Sequence, residues 1–142
     1  MNRVRSPLLD VVAAGIFHTV LAFSLFLLFA GHNNPGGGFV GGLVAGAAFV
    51  LQFLTDPTSP RPLTRVTPEV LLGVGLVLAA ATGAAAWLTD GQFLESGKLE
   101  LDLGAVGHVK VYSVLAFDTG VYLIVVGLVV AVLQALGREA AE

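Results

Sequence analysis

Asp118 is the acid in this chain whose setting is least expected of an acid. It lies within a long apolar run, inside Phe117-Asp118-Thr119-Gly120-Val121-Tyr122-Leu123. An ionisable group within a membrane span costs from about 2.5 kcal/mol upward unless it faces protein or water. Such an acid either marks a cation or proton path or ties loops and helices together. Tyr122 follows four residues later, shares its helical face, and can hydrogen-bond the carboxylate or a partner chain. His18 falls near the middle of the first apolar run. An imidazole titrates near neutral pH, which suits a proton relay, and it can equally remain neutral and donate one interhelical hydrogen bond. No second acid or lysine at mid-depth continues a relay, so a complete proton path within this chain alone is not expected.

Other chemistries fit the residues poorly. His32, His108 and Asp118 match no metal-ligand spacing, and the chain has no cysteine, so no metal site and no disulfide framework is expected. Ser24, Ser96 and Ser113 lack the context of an activated nucleophile. Gly36-Gly37-Gly38 precedes a helix but is followed by no Lys-Ser/Thr pair and preceded by no strand, which argues against a phosphate cradle. The formal net charge of -3, without a basic patch, carries no nucleic-acid signal. The expectation is a protein that is not an enzyme and holds no cofactor.

The elements that must position these residues are membrane helices. Of the 142 residues, 56% are hydrophobic and 12% charged, far from the balance of a soluble domain. A span needs about 20 mostly apolar residues. Four such runs are expected, at about residues 8–30, 35–54, 68–88 and 112–136, forming one all-α membrane domain over residues 1–142. The first run is too long for the apolar region of a cleaved signal, so it is taken as a span, with Asp10 at the interface. Three prolines within residues 57–62 end the second. Thr67, Pro68 and Glu69 form a helix-start signal for the third, and Trp87 suits its far interface. Gly137 suits a cap for the fourth. Between the third and fourth spans, Leu99-Glu100-Leu101-Asp102-Leu103 alternates strictly and predicts a short extended segment. Phe17, Phe23, Phe26 and Phe29 read as lipid-facing or packing bulk. With both termini inside, the inner loops hold Arg3, Arg5, Arg61, Arg65 and Arg138, and the outer ones only Lys98 and Lys110. The positive-inside rule therefore favours N-in and C-in.

One stretch organises the rest: Gly31-His32-Asn33-Asn34-Pro35-Gly36-Gly37-Gly38-Phe39-Val40-Gly41-Gly42. Its front half reads as a turn at the membrane surface. Behind Pro35, Gly38, Gly42 and Gly46 recur every fourth residue, as do Gly37, Gly41 and Ala45. On a helix this makes a stripe without side chains where another backbone can come close.

That stretch, with Gln52-Phe53-Leu54 and the segment from Phe117 to Leu123, resembles the B-type member of the Mrp (Mnh) multisubunit sodium/proton antiporter family. The resemblance covers nearly the whole chain, and the family's Asn-x-Pro-Gly-Gly-Gly-Phe core stands intact at Asn33 to Phe39. It implies a small four-helix subunit of the cell membrane, assembled with several different membrane subunits, A-type and C-type neighbours among them. It also implies that sodium and protons are the transported ions. Homologous domains are fused into larger A-type subunits and occur in membrane-bound hydrogenases. On this reading Pro35 and Phe39 shape the motif and Asp118 supplies the charge, with His18, His32, Asn33 and Tyr122 as further candidates for the ion route or an interface. The chain then packs neighbouring subunits and lines the outer part of a sodium route. The rival expectation is a purely structural assembly subunit.

Overall fold

Proline opens two of the four helices, and a third ends just ahead of three prolines. The computed structural model describes residues 7–31, 37–55, 67–88 and 106–139. Helix α1 spans Pro7–Ala30, α2 Gly37–Thr55, α3 Pro68–Leu88 and α4 Val106–Glu139. Pro7 and Pro68 open their helices at the position where a missing N–H costs nothing. The Thr67 carbonyl accepts from the amides of Val70 (3.1 Å) and Leu71 (3.3 Å), so Thr67 is the half-helical residue in front of α3. All four helices are long and apolar enough to cross a membrane. Among the described residues there is no strand.

α4 differs from the expected span at both ends. It begins at Val106 rather than near 112, and it runs through Gly137 to Glu139, so that glycine lies within the helix instead of capping it. Its 34 residues extend roughly 51 Å at 1.5 Å each, well beyond a hydrocarbon layer of about 30 Å. The apolar part starts at Ser113. The additional turns at the start contain His108 and Lys110, polar residues that hydropathy assigns to a loop. The alternating segment at residues 99–103 lies outside the described residues.

The helices pack in an open row, α1 against α2, α2 against α4 and α4 against α3, with a slight contact from α1 to α4. The core fills the space shared by α1, α2 and α4 and consists of Phe17, Leu28, Ala45, Ala48, Phe49, Tyr122, Val126, Val130 and Leu133. Phe17 and Phe49 meet edge-to-face at 5.4 Å, the arrangement that aromatic quadrupoles favour. Phe23, Phe26 and Phe29 remain on the outside. α3 lies on the far side of α4, and the two touch through small residues. A Cβ on Gly75 would lie 2.7 Å from the Gly120 carbonyl oxygen, and one on Gly120 would lie 2.8 Å from the Ala79 amide nitrogen. α4 thus has one face for α2 and another for α3.

Candidate functional site

The first turn of α2 and the middle of α4 meet backbone to backbone. Gly38, the second residue of α2, touches the main chain of Asp118, and a Cβ there would run into the Asp118 carbonyl. One turn deeper, Gly42 faces Val125 and the Tyr122 carbonyl; two turns deeper, Gly46 faces Val129. The parallel stripe looks the other way. Gly37 touches Gly31, the residue just after α1, and Gly41 approaches Ser24 and Leu28 of α1, with the Tyr122 ring also close by. Ala45 completes this line and is fully buried. Two four-residue repeats on α2 therefore serve two neighbours at once. With no side chains between them, three helices converge around one glycine-rich turn.

This convergence buries Asp118, which retains 9% of its surface. Its neighbour Gly38 belongs to the turn of α2 whose amides have no acceptor within the helix, and this end of a helix carries partial positive charge. The contact with Gly38 is made by the main chain of Asp118. Below it, the Tyr122 hydroxyl pairs with Ser24 Oγ of α1 at 2.9 Å, and Ser24 also donates to the Leu21 carbonyl at 2.6 Å. Since Ser24 gives its only proton to that carbonyl, Tyr122 is the donor in the pair. The Tyr122 hydroxyl thus points to α1, whereas four-residue spacing offers Asp118 as one partner.

The remaining site residues are dispersed. His18 is exposed on α1, and its Nδ1 lies 2.7 Å from the Ala14 carbonyl of the same helix. Phe39 is half exposed, on the outer side of α2. His32, Asn33 and Pro35 lie outside the described residues. Ser24 is a participant that its sequence context does not single out for this role. Its only signal is that of a polar residue in an apolar run, and nothing in the sequence aligns it with Tyr122.

Over residues 8–131 the chain matches the family described as a domain related to the MnhB subunit of Na+/H+ antiporter. It belongs to the MnhB family. Among its relatives, the Na(+)/H(+) antiporter B-subunit of Bacillus subtilis is 38% identical over 121 residues, covering 84% of this chain and 85% of the relative. The Na(+)/H(+) antiporter B-subunit of Alkalihalophilus pseudofirmus is 32% identical, covering 93% and 92%. A Rhizobium meliloti protein, named as the probable A/B-subunit of a K(+)/H(+) antiporter, is 32% identical over 91% of this chain, but the match is only 13% of that much longer protein. With four helices suited to spanning, this MnhB-family chain is a multi-pass membrane protein.

The buried Ser24–Tyr122 pair gives this MnhB fold a measurable tie between α1 and α4. Interhelical hydrogen bonds in membranes are worth about 0.6 kcal/mol on average and up to about 1.7. We expect Tyr122→Phe and Ser24→Ala each to lower resistance to unfolding in detergent by about 1 kcal/mol, with the double variant costing less than their sum. Full additivity would show that the pair does not act as a unit.

Proposed function

We propose that this chain is one subunit of a cation/proton antiporter of the cell membrane. In this reading it packs neighbouring subunits and lines the outer part of the cation route. The observation that carries the route is the buried Asp118 beside the first turn of α2. A lone acid at that depth is costly unless it serves a passing ion or a packing contact. Sodium is the cation favoured by the names of the Bacillus and Alkalihalophilus relatives, whereas the Rhizobium relative's name points to potassium. That relative also supports an A-type neighbour, since there a B-like region is one part of a protein named A/B. A C-type neighbour is implied by the family resemblance. The chain performs no covalent chemistry of its own.

A purely structural role is the second reading, favoured by how much of α2 is given over to close packing. Asp118→Asn separates the two. Complexes that assemble but exchange poorly support the route, and complexes that assemble and exchange normally support the scaffold.

The route occupies the outer half only if both termini face the cytoplasm, as the arginine placement favours. Cysteines introduced at positions 96 and 59 test this with an impermeant thiol reagent applied to intact cells. Labelling at 96 and protection at 59 is the expected pattern. The reverse would invert the orientation and move the Asp118 site to the cytoplasmic half.

A further inference from the structure

Helix α1 exposes two unlike surfaces. On one, Val12, Ile16 and Phe23 are bulky and apolar, as lipid contact requires. On the other, His18 is central and is flanked within one turn by Ala14, Gly15 and Ala22, all exposed. A Cβ on Gly15 would meet nothing within 4 Å. Val11 and Leu25 bound this shallow, small-residue strip above and below. The open face of α3 is different. Gly73, Leu76, Val77, Ala80 and Ala84 on it are all apolar.

His18 determines which kind of molecule covers the α1 strip. Its Nδ1 lies 2.7 Å from the Ala14 carbonyl, and a carbonyl only accepts, so the proton is on Nδ1. In the neutral ring Nε2 is then an acceptor, and no described residue donates to it. His18 is the twelfth of the 24 residues of α1, midway across the span, where lipid tails offer no donor. Ionisable residues at that depth face protein or water as a rule.

We infer that the Ala14–Gly15–His18–Ala22 strip of α1 docks a transmembrane helix of another antiporter subunit, and that this helix donates a hydrogen bond from a hydroxyl, amide or amine side chain to His18 Nε2. The small residues let the two backbones approach, and the histidine fixes register. The inference rests on the reading of this chain as one subunit of several. It does not depend on Asp118 or on which cation is carried.

The test uses the tagged full chain in membranes that contain the whole antiporter. A photoreactive benzoylphenylalanine replaces Ala22 on the strip or Ile16 on the bulky side. Irradiation should join position 22, and not position 16, to a different antiporter subunit. Independently, His18→Leu should lower co-purification of the other subunits roughly three- to eighteenfold, the range set by one interhelical hydrogen bond, while His18→Gln, which retains an acceptor, should lower it less than about twofold. Crosslinks from position 22 to lipid alone or to a second copy of this chain overturn the inference. Unchanged recovery with His18→Leu does so as well. If the unaltered tagged chain co-purifies with no antiporter subunit, the subunit reading itself fails and the inference falls with it.

Discussion

Gly38→Ala will separate α2 from α4. A methyl group there has no space, because it meets the Asp118 carbonyl, a backbone atom that cannot rotate away. Overpacking typically costs about 1–3 kcal/mol, and a clash with main chain belongs at the top of that range. The effect should fall along the stripe. At Gly42 the new methyl meets Val125 Cβ at 2.8 Å, a branch point anchored near its own backbone, so the expected cost is intermediate. At Gly46 it meets a methyl of Val129 at 2.9 Å, which a small side-chain shift can relieve. Gly73→Ala is the control. Nothing lies within 4 Å of its added methyl, and alanine is favoured over glycine in a helix by about 1 kcal/mol. Recovery of the assembled complex in detergent, with its thermal midpoint, should rank the variants Gly73, Gly46, Gly42, Gly38 from most to least stable. If Gly38→Ala is as stable as Gly73→Ala, the close approach at Asp118 does not hold the bundle together.

The four-residue glycine repeats are visible in the sequence because helical periodicity is local information. Which neighbour each repeat meets is not local. Gly38, Gly42 and Gly46 face α4, and Gly37 and Gly41 approach α1, because α2 lies between those helices in the row. Chain order alone does not specify this, since α3 intervenes in sequence between α2 and α4. The Gly75–Gly120 crossing is hidden for a related reason. Neither glycine has another four residues before or after it, and only the docking of α3 on α4 pairs them. Hydropathy locates the start of the apolar span, at Ser113, but not the start of the helix that carries it. Residues 106–112 include His108 and Lys110, which end an apolar window without ending a helix. Backbone hydrogen bonding continues past the point where the membrane argument stops.

The site is legible in its residue types and not in its geometry. Asp118 attracts attention in any reading, because an acid in an apolar run needs an explanation. Its companion does not follow from spacing alone. Tyr122 shares a face with Asp118, but its hydroxyl reaches Ser24, 98 residues away in sequence. His18, equally conspicuous as a polar residue at mid-span, faces outward instead of into the bundle. Two ionisable residues within spans therefore have unlike settings, Asp118 between helices of this chain and His18 on its outer surface.

That contrast sharpens the expected result for Asp118→Asn. Asparagine matches the carboxylate in size and still hydrogen-bonds, so the close packing of Gly38 against the α4 backbone should survive and the complex should assemble. The charge is what is lost. Interactions with a charged group are worth about 1.5–3 kcal/mol, so a cation that depends on this carboxylate should be handled roughly tenfold less well, or worse. The measurement is sodium-dependent proton exchange in vesicles, read with a pH-sensitive dye and normalised to assembled complex. Asp118→Glu restores the charge one methylene further out and should retain part of the activity, at a packing cost of about 1 kcal/mol or more. The structural reading predicts the opposite order. There, Asn is tolerated in both assembly and exchange, and Glu is the worse substitution because it overfills a seam already closed by Gly38. Normal exchange by fully assembled Asp118→Asn complexes would remove the cation role from this residue and leave the carboxyl as a packing group at the junction of α2 and α4.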